Sequence, residues 1–346
     1  MTGFESIVGQ DKPVRVIQAL LRRETIPHAF LFTGIGGVGK FRAALEFAKA
    51  CNCQNRYPAS GEAQKTTGTQ ETRAIPCDAC RSCRKIETGV HPDMLRVEPT
   101  GVFIRIDSIR SLQHALSMRP YEADVRVVIV TGAQHMTPSA ANAFLKMLEE
   151  PPAKTVLILI AERVTEMMPT VVSRCRRIHF NPISRGHLSD LLAAQTGVRL
   201  ELTDTLAAFS GGSYSRSLAM IEDNWFGLRD WVVTEFQRLP QMSVRQVLAL
   251  AGNLTANKDL LSEALEILIS WLRDLLISPF HPQGAIHRDL EKCLENLAGQ
   301  TAVEPLMASI QAVRSAQIDL RNNVNARLIA ETLLLQLARG ETACEN

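Results

Sequence analysis

Gly34-Ile35-Gly36-Gly37-Val38-Gly39-Lys40-Phe41 is the stretch on which the fold turns. Glycines at its first and sixth positions, Gly34 and Gly39, with Gly37 between them, let backbone N–H groups curl around phosphate oxygens. Lys40 is then placed to reach the β and γ phosphates of a nucleotide. The next residue breaks the pattern. A hydroxyl belongs after the lysine, where it holds the Mg²⁺ that bridges those phosphates, and Phe41 offers no oxygen. Three readings compete: a hydrolytic motor, a nucleotide binder without turnover, and a glycine turn that no longer binds a ligand.

Upstream, Ala29-Phe30-Leu31-Phe32-Thr33 is a short apolar run that ends in the loop, and downstream Ala43, Ala44, Phe47 and Ala48 mark one helical face. Strand, loop and helix in that order are the context a phosphate loop requires. Ahead of them, Ile7-Val8-Gly9-Gln10 reads as a turn leading into an amphipathic helix on Val14, Ile17, Leu20 and Leu21. Beyond residue 87 the alternation resumes, with strands expected at 93–97, 104–106, 125–130 and 155–160. Helices are expected between them, one N-capped by Asp107 and carrying Ile109, Leu112 and Leu116, another over 140–148 before Glu149-Glu150-Pro151-Pro152. The pattern predicts a doubly wound α/β domain on a parallel sheet. In phosphate-loop ATPases the strand that pairs with the loop ends in two carboxylates, one supporting Mg²⁺ and one orienting the attacking water. Here Thr131 and Gly132 occupy those places.

Residues 54–76 are polar and small, cannot contribute to a core, and predict a flexible insertion. Cys53 lies on one side of it and Cys77-Asp78-Ala79-Cys80-Arg81-Ser82-Cys83 on the other. Three cysteines at that spacing favour metal over disulfides but cannot close a tetrahedral site, and Cys53 and Cys51 are the nearest candidates for a fourth thiolate. Such a site staples both ends of the insertion to the main domain. His91 is a further candidate ligand, although a lone histidine before a proline reads more simply as solvated loop.

With 346 residues, 46% hydrophobic and 21% charged, the chain has room for two or three domains. A net charge of +2 lacks the basic excess of a dedicated nucleic-acid binder and does not identify partners. No basic leader with an apolar run and no long uncharged apolar stretch is present, so the expectation is a soluble cytoplasmic protein without a membrane span. Ser173-Arg174-Cys175-Arg176-Arg177 follows a largely apolar stretch at 167–172. Solvated surface, an acidic partner, nucleic-acid phosphate and a finger inserted into a neighbour's nucleotide site compete for these arginines, and the residues alone favour surface. Cys175 reads as a packed small residue. Residues 183–220 hold short helical patterns around Gly211-Gly212-Ser213 and Arg216, and from Trp225 onward the spacing is helical throughout, as in a bundle.

Ile7-Val8-Gly9-Gln10, His28-Ala29-Phe30-Leu31-Phe32, the loop at 34–40, Pro76-Cys77-Asp78-Ala79-Cys80-Arg81-Ser82-Cys83, Ala140-Ala141-Asn142-Ala143-Phe144-Leu145-Lys146-Met147-Leu148-Glu149-Glu150-Pro151-Pro152 and Ser173-Arg174-Cys175 together resemble the clamp-loader ATPase family of the AAA+ class. The resemblance runs through most of the chain and is specific only in combination. It implies an AAA+ phosphate-loop core over residues 1–181 with a zinc-binding insertion at about 51–83, a helical lid domain at 182–222 and an all-α collar domain at 223–346. It selects Cys53 over Cys51 as the partner of Cys77, Cys80 and Cys83 around a structural Zn²⁺. It makes Arg174 an arginine finger reaching an adjacent subunit's ATP, and Arg216 the phosphate-contacting arginine of the lid. Residues 322–337 resemble the collar segment through which subunits assemble.

The implied partners are the gamma/tau and delta subunits of the bacterial replicative clamp loader and, through the assembly, the sliding clamp and primer-template DNA. Phe41, Thr131 and Gly132 depart from the motor subunits, and Glu162-Arg163 stand where motors carry a small polar residue. A non-hydrolysing subunit of the DNA polymerase III holoenzyme is therefore expected, holding no Mg²⁺ of its own, while Gly39 and Lys40 leave ATP or ADP binding open. The competing readings are an active motor that has moved its Mg²⁺ ligands, and a stand-alone zinc-dependent nucleic-acid binder with salt-sensitive DNA affinity.

Overall fold

The computed structural model describes residues 3–23, 25–55, 75–298 and 302–339, so most of the insertion expected at 54–76 lies outside the described residues. The chain divides into two compact units, Met1–His187 with Gly212–Ser215, and Leu188–Gly211 with Arg216–Asn346. The segment expected to form a separate lid at 182–222 falls mostly in the second.

In the first unit, β1 (Ala29–Thr33), β2 (Met94–Val97), β3 (Arg126–Val130), β4 (Thr155–Ala161) and β5 (Arg176–His179) form one parallel sheet in the order β2-β3-β4-β1-β5. Its helices are α1 (Asp11–Arg22), α2 (Lys40–Asn52), α3 (Arg81–Glu87), α4 (Ile106–Ser117), α5 (Pro138–Glu149) and α6 (Pro169–Val172). Side chains alternate across the strands. Phe30, Phe32, Val127, Ile129, Ile158 and Ile160 pack with α1 and α2 on one face. Leu31, Val128, Val130, Leu157 and Leu159 pack with α4 and α5 on the other. Every residue of β1, β3 and β4 is buried for this reason, and a strand covered on both faces reads as a continuous apolar run. The edge strand β5 buries only Ile178 and exposes Arg176, Arg177 and His179, charges that discourage pairing with a foreign strand.

Two polar anchors fix the sheet's far edge. Arg126, the one charge in β3, is buried and donates to the Leu116 and Met118 carbonyls at 2.9 and 2.6 Å, placing its guanidinium at the negative end of α4. Asp93, also buried, accepts the backbone N–H groups of Tyr121, Glu122 and Ala123 at 2.8–2.9 Å. Burial opposes its charge, yet these donors outweigh burial and hold the Asp93 carboxyl below its ordinary range.

Local expectations fail where long-range contact decides. Ile104 forms a single bridge with Met136 rather than a strand, and the helix begins at Ile106. Arg105, not Asp107, is its N-cap; Asp107 sits in the first turn, where a carboxylate still favours the helix's positive end. His91 is buried at 3% exposure, not solvated, and its Nδ1 accepts the Asp93 N–H.

The second unit is helical throughout its described residues, with α7 (Arg185–Thr196) leading into it from the first, then α8 (Leu200–Phe209), α9 (Tyr214–Glu222), α10 (Trp225–Arg238), α11 (Val244–Leu254), α12 (Lys258–Ile277), α13 (Glu291–Ala298), α14 (Val303–Arg321) and α15 (Ala326–Arg339). The long α12 packs on α14, and α11 on α15. Trp225 and Trp271 are fully buried around His287, whose Nε2 lies 2.9 Å from Ser270 Oγ; burial pulls that imidazole down to about 3. No helix among the described residues is long and apolar enough to cross a membrane.

The Asp93 carboxylate supplies stability that is present above its unfolded pKa and lost as pH falls through its lower folded value. Asp93→Asn is expected to cost about 2 kcal/mol at pH 7. In denaturant titrations the gap between the two proteins should close as pH falls below about 4. A gap that persists unchanged into acid would show that the carboxylate's charge is not what holds residues 121–123.

Candidate functional site

The glycine loop leaves β1 at Thr33 and closes against the chain that follows β5. Gly34 has φ 137°, and a Cβ there would lie 2.2 Å from the Phe180 carbonyl oxygen, so no other residue fits. A Cβ on Gly37, at φ 73°, would lie 2.4 Å from Ser213 Oγ, and the Tyr214 N–H donates to the Gly37 carbonyl at 3.0 Å. Gly39 is the N-cap of α2, and Lys40 is its first residue. Lys40 Nζ turns back into the loop, donating to the Gly34 carbonyl and, at 2.6 Å, to that of Ile35. Burial lowers its pKa, and the Glu162 carboxylate partly offsets this. The loop opens on a cleft of about 410 Å³ lined by Gly36, Gly39, Lys40, Phe41, Glu162 and Tyr214 among others, with Glu162 the one carboxylate in the lining. A helix N-terminus with a lysine beside it can hold an anion.

The place where a metal-holding hydroxyl would stand is filled. The Phe41 ring packs on the core of this unit, and the Arg96 guanidinium lies over it, 4.5 Å from its centroid. Arg96 pairs in turn with Glu98, which accepts from Thr131 Oγ1 at 3.3 Å. The end of β3 thus presents a neutral hydroxyl already bonded to Glu98, followed by a glycine. Neither Thr131 nor Gly132 can supply the carboxylates that hydrolysis uses.

Arg174 follows α6 and sits just ahead of β5, whose Arg176 is in register with Phe30 of β1. The strands are parallel, so Arg174 lies where they begin and the glycine loop where they end, roughly 20 Å away along a seven-residue strand such as β4. The Arg174 side chain is 38% exposed; its Nη2 bonds Glu149 Oε1 at 2.8 Å and its Nη1 the Thr170 carbonyl at 3.1 Å. Cys175 packs against the core, and burial pushes its thiol up to about 12. Arg216 belongs to the second unit, where it pairs with Glu266 and lies 5.3 Å from the Phe209 ring centroid.

The Sγ atoms of Cys53, Cys77, Cys80 and Cys83 all lie within 4.8 Å of one another. Four thiolates around one ion, with metal–sulfur bonds of about 2.3 Å, stand about 3.8 Å apart, so this set fits a tetrahedral metal ion. Backbone N–H groups aim at the sulfurs: Cys77 N at Cys53 Sγ (3.4 Å), Cys80 N at Cys77 Sγ (3.3 Å) and Cys83 N at Cys80 Sγ (3.4 Å). Burial pushes the Cys53 and Cys83 thiols up. At Cys77 burial also opposes ionisation, but amides of Cys80 and Ala79 prevail and bring the thiol down to about 7. Cys51, the competing fourth ligand, is buried on α2 outside this group, and His91 is outside it as well.

Several residues that shape these sites carry no sequence motif. Glu162 faces Lys40 across the cleft, Arg96 covers Phe41, and Glu149, legible only as part of a helix stop, holds Arg174. Lys49, in the apolar face of α2, is 1% exposed and bonds both Glu46 and Asp78, the latter inside the cysteine knuckle.

Comparison with known proteins accounts for both units. A family model described as "DNA polymerase III, delta subunit" matches residues 9–184, and one described as "DNA polymerase III, delta subunit, C terminal" matches residues 224–339. The chain is similar to the DNA polymerase III subunit delta' of Bacillus subtilis, 29% identical over 96% of this chain and 97% of that protein. It is also similar to the subunit delta' of Pseudomonas aeruginosa, 28% identical over 90% of this chain and 92% of that one. Similarity to the B. subtilis DNA polymerase III subunit tau is 24% over 97% of this chain, which spans 61% of that longer protein. With the first model covering the phosphate-loop sheet and the second the C-terminal helices, the chain belongs to the DNA polymerase III delta subunit family.

Proposed function

We propose that this chain is a non-hydrolysing subunit of the bacterial replicative clamp loader, an AAA+ assembly. In this role it supports ATP-dependent loading of the sliding clamp onto primed DNA and gives Arg174 in trans to a neighbouring subunit's ATP site. The observation that carries the reading is the residue set at the hydrolytic positions, with the Phe41 ring under the Arg96 guanidinium where a hydroxyl is needed and Thr131 and Gly132 in place of carboxylates. Hydrolysis uses Mg²⁺ held by a hydroxyl and by carboxylates; Phe41 and Gly132 carry no side-chain oxygen, and the Thr131 hydroxyl is already bonded to Glu98. The neighbours would be tau/gamma-type subunits, kin to the tau relative above, and a delta subunit. DNA and clamp would be met through the assembly, in the cytoplasm.

Within the chain, residues 1–181 serve as the AAA+ core, 182–222 as a lid and 223–346 as the collar. Gly34, Gly37, Gly39, Lys40 and Arg216 are the nucleotide-contacting set if ATP or ADP enters the cleft. Cys53, Cys77, Cys80 and Cys83 are the ligands of a structural Zn²⁺, which when bound closes the knuckle at 77–83 onto the end of α2. Their four thiolates and converging N–H donors are what such an ion requires.

Three measurements test the reading. The isolated chain, supplied with Mg²⁺, ATP and primed DNA, is expected to show no turnover above background; hydrolysis that disappears in Lys40→Ala would instead make it a motor. Arg174→Ala is expected to leave the chain folded and to lower the DNA-stimulated ATPase of the assembled complex about tenfold or more; an unchanged rate rejects the finger. Metal analysis of the purified chain should find about one zinc per molecule, lost in Cys80→Ser together with thermal stability. A zinc-free parent protein with unaltered melting would remove the metal site.

A further inference from the structure

Glu149 stands in the last turn of α5, where a carboxylate faces the negative end of the helix dipole and is disfavoured. It is 51% exposed, and Arg174, its partner at 2.8 Å, is 38% exposed. An accessible ion pair of this kind contributes little to stability. What it does accomplish is orientation. The Arg174 guanidinium is held from two directions, by Glu149 Oε1 on Nη2 and by the Thr170 carbonyl on Nη1, with Ser173 Oγ 3.4 Å from the latter. Both supports are themselves fixed. Glu149 ends a helix stopped by Pro151 and Pro152, with the Glu150 N–H bonded to the Lys146 carbonyl. Thr170 lies in α6, which opens on Pro169 and whose Thr170 carbonyl also accepts from Ser173 Oγ at 3.0 Å.

We infer that Glu149 is the positioning residue of the arginine finger: it pre-orients the Arg174 guanidinium for the terminal phosphate of a nucleotide bound by the adjacent subunit. This rests on the finger reading of Arg174. A long side chain free to wander loses rotamer entropy when it meets the transition state; one already fixed loses less, and the difference appears in the chemical step. Glu149 touches no reacting atom in this arrangement, so its effect runs wholly through Arg174.

The test is a double-mutant cycle in the reconstituted complex, following DNA-stimulated ATPase as kcat and KM, with the melting temperature of each purified chain as control. Glu149→Ala is expected to lower kcat about fivefold, with KM for ATP within about twofold of the parent and melting within about 2 °C. Glu149→Gln, which keeps an acceptor oxygen without the charge, should fall between the two. Arg174→Ala should lose more than either, and adding Glu149→Ala to it should change the rate by less than about twofold, because no guanidinium is left to orient. A Glu149→Ala rate at or above the parent's, or losses that multiply in the double variant, overturns the positioning role and leaves the finger standing. An Arg174→Ala rate equal to the parent's overturns both.

Discussion

The ammonium of Lys49 is the charge around which the first unit closes. It lies inside α2 with three donors to satisfy, and three carboxylates meet it: Glu46 at 3.1 Å on the same helix, Asp78 at 2.9 Å in the cysteine knuckle and Glu87 at the end of α3. Burial alone would lower its pKa, but the Glu87, Asp78 and Glu46 carboxylates outweigh burial and raise it. Arg42 extends the network to Glu46 and Glu87, and Asp78 also takes the Gly3 N–H at 2.9 Å, bringing in the start of the chain. Removing the ammonium would leave three carboxylates facing the Arg42 guanidinium alone, and breaking a buried set in this way costs about 3–5 kcal/mol. Asp78 itself sits in the left-handed region, at φ 54°, which turns the amides of Ala79 and Cys80 towards the Cys77 sulfur. The same carboxylate therefore neutralises Lys49 and shapes the thiolate cluster. Because α2 begins at Lys40 and its C-cap is Cys53, one 13-residue helix, about 20 Å long, ties the glycine loop to the cysteine cluster.

Close backbone contacts account for two of the loop's glycines without any hydrolytic role. Gly34 is required by the Phe180 carbonyl and Gly37 by the turn at 212–215, whether or not a phosphate is present. Lys40 satisfies loop carbonyls and so has work inside the fold. The motif alone is thus weak testimony for nucleotide turnover, whereas the Arg96–Phe41 stack puts a ring under a guanidinium at the position where phosphate-loop enzymes carry a metal-holding hydroxyl.

What could be read from the residues follows the same division. β1, β3 and β4 were legible because burial on both faces writes an unbroken apolar run, and the cysteine set because thiolates at that spacing have few other uses. Periodicity marks faces, however, and not pairings. Ile104 to Ile106 looks like a strand but finds only one bridging partner, since the chain has already turned at the Thr100–Phe103 bridge. His91 looked solvated because its burial depends on Asp93 and on Glu122, whose carboxylate lies 3.7 Å from Nε2. Lys49, read from sequence, is a charge in an apolar helix face; only Asp78, 29 residues on, makes it intelligible. Glu149 and Arg174 are 25 residues apart with no shared period.

The polarity of a parallel sheet then constrains how Arg174 can act. Phosphate loops form where strands end, because the helix that follows offers its N-terminus there. Arg174 lies where the strands begin, beside the C-terminal end of α5, and its partners Glu149 and Thr170 keep it there. No rotamer spans the length of β4, so this arginine cannot serve the cleft of its own chain. A neighbour related head to tail would meet it differently: the surface at the strand beginnings of one subunit would face the cleft at the strand ends of the next, a heterologous contact of the kind that builds rings. The make-up of the cleft, with Phe41 and Gly132 in its lining, therefore places no constraint on what Arg174 can touch, because the two lie at opposite ends of the sheet.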